Sequence, residues 1–132
     1  MKPITASGKR KQAIAKATLK EGKGRVRVNN IPLDLYQPAM QQLRIREPLI
    51  IAGDEIVKKI DIDVKMFGGG VAGQSEAARL AIARALVEYD DKLECPFEEY
   101  DRQLLVADVR RKEPAKPNSH GAARSKVQKS YR

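Results

Sequence analysis

The spacing Gly68-x-Gly70-x-x-Gly73 is the pattern in this sequence that comes nearest to a chemical device. Glycines let backbone amides approach a phosphate, and a helix starting there aims its free N–H groups at the anion. In a dinucleotide site the pattern follows a buried parallel strand, and the helix leads to a second strand whose acid holds the ribose. Here the preceding Ile60–Met66 alternates Ile with Asp, as a half-exposed strand does, and Asp90-Asp91-Lys92 follows the helix. A small dinucleotide-binding enzyme is thus disfavoured, a triphosphate loop lacks its Gly-Lys-Ser/Thr, and no cofactor is expected. Gly68, Gly69, Gly70 and Gln74 then have two readings: contact with a nucleic-acid backbone, or a turn packed tightly on a sheet. These are not exclusive.

Other chemistry finds few residues. The single histidine, His120, lies in a Pro- and Gly-broken stretch with no rigid surroundings to orient it. Cys95 precedes Pro96 among acids, which do not favour a thiolate. One His and one Cys fall short of a protein-only zinc site. Asp90, Asp91, Glu94, Glu98, Glu99 and Asp101 read as a solvated acidic face. Neither catalysis nor a metal is expected.

The cations say more. The 132 residues carry 26 Lys plus Arg against 17 Asp plus Glu, a net charge of +9. Residues 1–28 balance at +8, 29–109 at −6 and 110–132 at +7. Basic ends around an acidic centre imply a polyanionic partner. The candidates are Lys9, Arg10, Lys11, Arg25 and Arg27 at one end. At the other stand Arg110, Arg111, Lys112, Lys116, Arg124, Lys126, Lys129 and Arg132. No apolar run approaches the ~20 residues of a spanning helix, and no secretory h-region opens the chain, so no membrane partner is expected. A lone cysteine suits a reducing cytoplasm.

Periodicity supplies the mount for these cations. Ala13, Ala15, Ala17 and Leu19 share one face of a strand, and Arg25-Val26-Arg27-Val28 alternates beyond the Glu21–Gly24 turn. The two are expected to form a hairpin. A helix is expected from Pro38 to Ile50, kinked or split at Pro48 and ended by Gly53. Ile60–Met66 is a third strand. The next helix, to about Tyr89, has one apolar stripe (Ala78, Ala81, Ile82, Ala85, Leu86, Tyr89) and a second opposite it (Leu80, Ala83, Val87). It should lie between the sheet and another helix. A short helix at Pro96–Gln103 and a fourth strand at Leu104–Val109 complete a folded unit over residues 1–109. Residues 110–132 lack apolar periodicity and are expected to be an extended tail that a partner must order. Extended, it spans roughly 75–80 Å at about 3.3–3.6 Å per residue.

Three segments carry a family resemblance. Gly68–Leu86 is similar to the signature of the ribosomal small-subunit protein 9 family, and Gly8-Lys9-Arg10-Lys11-Gln12-Ala13-Ile14-Ala15 looks like its first strand. Lys129-Ser130-Tyr131-Arg132 resembles the archaeal and eukaryotic form of its tail, where bacterial members usually end Phe-Ser-Lys-Arg. The resemblance implies an α+β fold: a two-layer domain with a mostly antiparallel four-stranded sheet, helices packed on it and a left-handed βαβ crossover. The same fold is implied for the second domain of another small-subunit protein. It also implies rRNA of the 3′ major domain, in the head of the small subunit, as partner, with neighbouring ribosomal proteins. Lys129, Ser130, Tyr131 and Arg132 would then reach peptidyl-site tRNA. A free-standing regulatory or chaperone RNA binder is the alternative, and sedimentation with the small subunit separates the two.

Overall fold

The computed structural model describes residues 1–121, 123, 124, 130 and 131. Its sheet has five strands: β1 (Ile4–Arg10), β2 (Ala13–Glu21), β3 (Val26–Val28), β4 (Ile31–Pro32) and β5 (Ile60–Phe67). Their spatial order is β1-β2-β5-β3-β4. The helices are α1 (Ala39–Ala52), α2 (Asp54–Val57), α3 (Val71–Tyr89) and α4 (Glu94–Tyr100). The α+β class stands, but the sheet is mixed and five-stranded rather than antiparallel and four-stranded.

The expected hairpin is one reason. β2 and β3 do not pair, because β5 lies between them: antiparallel to β2 over eight residues and parallel to β3. The turn after β2 reverses the chain, so β3 runs against β2 and therefore along β5. That turn is tied to the start of β5 rather than closed on itself. Gly22 N–H donates to the Lys59 carbonyl (3.0 Å) and Gly24 N–H to that of Ile60 (3.1 Å). The Asp61 carboxylate accepts from the amides of Lys23 (2.8 Å) and Arg25 (2.9 Å). Those two amides hold its carboxyl below the usual carboxylate range.

The fourth expected strand is the other reason. Residues 102–104 form a 3-10 turn with Leu104 buried, and 105–109 join no ladder. The Arg84 guanidinium takes the Leu105 carbonyl (3.0 Å) and the Ser7 carbonyl of β1 (3.0 Å). A side chain thus bridges this segment and the edge strand, in place of a ladder. Two strands that alternation did not mark, β1 and β4, bring the number to five, and β1 pairs with β2 along its whole length.

Alternation works as expected within each strand. Ala13, Ala15, Ala17 and Leu19 of β2 and Ile60, Ile62, Val64 and Met66 of β5 are buried on one face. α3 crosses that face and packs on its other side against α1, so both of its apolar stripes are covered. Full burial of Ile82 and Leu86 contributes about 1.5–3 kcal/mol each. Close approach needs Gly8, where a Cβ would stand 2.2 Å from the Ala77 carbonyl oxygen of α3. Arg79 of α3, only 7% exposed, pairs with Glu47 of α1 (2.6 Å) and Asp101 beyond α4 (3.0 Å). α1 runs through Pro48 without interruption and ends at Gly53 in the left-handed region (φ 85°).

Candidate nucleic-acid interface

Strand alternation divides the basic run Lys9-Arg10-Lys11. Lys9 points to the open face of the sheet, Arg10 toward α3, and Lys11 sits at the tip of the β1–β2 turn. Arg10 forms an ion pair with Glu76 of α3 and lies 3.3 Å from the Asp108 carboxylate. Glu76 also takes Arg44 of α1 at 3.0 Å. Asp108 accepts from the Arg110 guanidinium (2.8 Å) and from the Arg110 backbone amide (2.9 Å). Arg110's side-chain bonds, then its amide, hold the Asp108 carboxyl well below the usual range, and Asp108 raises the Arg110 pKa in return. Arg10 and Arg110 are therefore partly committed to carboxylates of the protein itself.

The glycine loop closes against the same turn. Gly68 and Gly69 have φ of +74° and +62°. A Cβ on Gly68 would stand 2.6 Å from the Gln12 carbonyl oxygen, and one on Gly69 2.9 Å from the Ala13 nitrogen. These two glycines answer the packing reading. Gly70 differs: a Cβ there meets nothing, and it caps α3 without any side-chain hydrogen bond. Gln74 donates its side-chain amide to the Gly68 carbonyl (3.0 Å), so it braces the loop. Val71 and Ala72, at the uncapped start of α3, are exposed.

A cleft of about 800 Å³ opens where the loop, the β1–β2 turn and residues 110–112 meet. Lys11, Gly70, Val71, Arg111 and Lys112 line it, and the Arg111 guanidinium reaches the Lys11 carbonyl at 3.5 Å. Lys11, Arg111 and Lys112 have no carboxylate partner among the described residues. Glu76, the cleft's own carboxylate, is held by Arg10 and Arg44. Three free cations beside uncapped amides suit a phosphate, as backbone contact rather than base readout. The dinucleotide reading loses its second strand, since α3 leads through a 3-10 turn into α4.

Other expected contacts lie elsewhere. Arg27 forms a fork with Asp63 (2.8 and 3.2 Å) on the open sheet face. Arg25 stands beside the start of β5, about 20 Å from the glycine loop at ~3.3 Å per residue along the strand. Glu113 accepts from Lys116 and from Arg124 (2.8 Å). Those two side-chain bonds, Lys116's first, lower the Glu113 pKa. Residues 105–121 carry no regular helix or strand, and Ser130 and Tyr131 are exposed. Lys126, Lys129 and Arg132 lie outside the described residues. Sequence reasoning missed Glu76 and Asp108, which decide which arginines are free. Nothing local to either residue marks that role.

The family described as ribosomal protein S9/S16 matches over residues 8–132. The chain is similar to small ribosomal subunit protein uS9 of Methanothrix thermoacetophila, 50% identical over 134 residues, with 100% of each chain covered.

Proposed function

The chain belongs to the ribosomal protein S9/S16 family, and from that premise we propose how this constituent of the small ribosomal subunit holds its RNA. It binds the 3′ major domain of the small-subunit rRNA, in the head, through phosphate contacts. Residues 1–109 form the folded mount, and 110–132 form a basic extension that leaves it and reaches peptidyl-site tRNA. One observation carries the reading. Lys11 and the sequence-distant pair Arg111-Lys112 gather at the uncapped start of α3 with no carboxylate of the described residues to neutralise them.

The division of labour follows from pairing. Arg10 and Arg110 fix the departure point of the extension through Asp108, so each keeps only part of its charge for RNA. The remaining expected rRNA contacts are Lys9, Arg25, Arg27, Gly68, Gly69, Gly70, Gln74, Lys116, Arg124 and Lys126. Gly68, Gly69 and Gln74 act through the shape of the loop. Lys129, Ser130, Tyr131 and Arg132 supply the tRNA contact, with a ring for stacking and a guanidinium fork for phosphate. Tyr131 is 92% exposed, free to stack.

The test is direct binding of the full chain to a transcript of the 3′ major domain. Replacing Lys11, Arg111 and Lys112 together by Ala is expected to weaken binding at least tenfold and to flatten its salt dependence by about three phosphates' worth. Unaltered affinity and salt slope in that variant, still folded, would overturn the reading.

A further inference from the structure

The sheet face turned away from the helices carries a second cationic surface, set by register. Across it, Lys9 faces Ile14 and Ile14 faces Phe67; in the next row Ser7 faces Lys16 and Lys16 faces Lys65. A third row runs Thr5, Thr18, Asp63, Arg27. Lys9, Lys16, Lys65, Thr5 and Ser7 are exposed, and Phe67 leaves 51% of its surface in solvent. A phenylalanine so exposed, with lysines in its own row and the next, is not a core residue of this fold.

Pairing among the described residues leaves this surface unneutralised. Asp63 is held by the Arg27 fork, and Asp61 accepts the amides of the preceding turn. Lys16 and Lys65 stand directly opposite each other on adjacent strands, an arrangement that costs stability in isolation. A partner bearing negative charge removes that cost. Protein interfaces are poor in lysine, whereas RNA supplies phosphates for the lysines, sugar hydroxyls for Thr5 and Ser7, and an unpaired base for the ring.

We propose that this open sheet face is a second rRNA contact, distinct from the cleft, in which Phe67 stacks on an unpaired base while Lys9, Lys16 and Lys65 hold the flanking phosphates. The inference rests on the rRNA-binding reading above and adds a site to it. Two successive rows are about 7 Å apart at ~3.3–3.4 Å per residue, so one ring and three ammonium groups fall within reach of a short single-stranded stretch.

The full chain is titrated with the 3′ major-domain transcript. Lys16→Ala with Lys65→Ala is expected to weaken binding about tenfold and to lower the salt slope by about two, each lysine acting on one phosphate. Its thermal midpoint should not fall, because a like-charge pair has gone. Phe67→Leu is expected to weaken binding by about five- to a hundredfold with the slope unchanged, since a stacked base carries no counterion. Should either variant lose its fold, photo-crosslinking of wild-type protein to 4-thiouridine-substituted transcript decides: a crosslink on the peptide holding Phe67 supports the site, and its absence overturns it. Folded variants that bind RNA as the wild type does, or that lose only a protein neighbour, also overturn it. Failure of the wild type to bind the transcript would instead remove the rRNA-binding reading itself.

Discussion

Arg10, the last residue of the first strand, lies 3.3 Å from the carboxylate of Asp108, just before the basic C-terminal segment. Because Asp108 also takes the Arg110 guanidinium and amide, this one carboxylate fastens both cationic ends of the chain together. Residues 108–110 are thereby fixed against β1 and α3.

Asp108→Asn keeps the shape of a side chain only 9% exposed while removing its charge, so it should release that anchor without unfolding the core. Hydrogen exchange at the Arg110 amide is expected to quicken several-fold. The same follows from acid. The folded pKa of Asp108 is depressed, so its contribution is complete above the unfolded value near 3.9 and is lost as pH falls toward the folded one. Exchange at Arg110, corrected for its intrinsic pH dependence, should therefore rise below about pH 4 in the wild type and stay level in the variant. Equal protection in both proteins at neutral pH removes the anchor.

The glycine loop separates packing from phosphate contact. Gly69→Ala places a Cβ against the Ala13 nitrogen at positive φ, and is expected to cost about 2 kcal/mol in urea denaturation. Gly70→Val should cost under ~1 kcal/mol, because nothing stands within 4 Å of its Cβ. It should nonetheless weaken rRNA binding several-fold, by holding the ribose-phosphate away from the start of α3. Full affinity in that variant would mean that no phosphate sits there.

Arg79 is a stability residue. Replacing it by Ala leaves Glu47 facing the core without its 2.6 Å partner. A loss of about 2–4 kcal/mol is expected, tempered by the partial exposure of Glu47 and Asp101. Burial resists ionisation of Asp101, but bonds from Gln103 and Arg79 outweigh it and lower its pKa; Arg79→Ala should therefore raise it. The salt slope of rRNA binding in the folded variant should match the wild type.

Much of this was readable from local pattern. The Ile60–Met66 alternation, the two apolar sides of α3 and the stop at Gly53 each depend on residues a few positions apart. Strand neighbours do not. Nothing within Ala13–Val28 reveals that Ile60–Phe67 will enter between the two strands and turn a hairpin into a mixed sheet. The run Leu104–Val109 has the composition of a strand, yet it joins no ladder, and its Leu105 carbonyl accepts from the distant Arg84. The cations at Lys11, Arg111 and Lys112 were visible as types. That Arg10 and Arg110 share acids while those three do not depends on Glu76 and Asp108, brought near by the fold.

Deleting Ser130–Arg132 should leave assembly into the small subunit intact while lowering the affinity of purified subunits for peptidyl-site tRNA by several-fold. The loss should grow at low salt, where phosphate contacts weigh most. Subunits that hold tRNA equally well without these three residues exclude the tail contact.

The central claim is that this chain binds rRNA by neutralising phosphates. Its most direct test is the affinity of the full chain for the 3′ major-domain transcript as salt rises from about 50 to 200 mM. With six to ten phosphates engaged, affinity should drop roughly 10³- to 10⁵-fold. An affinity that stays within a few-fold across that range would contradict the account.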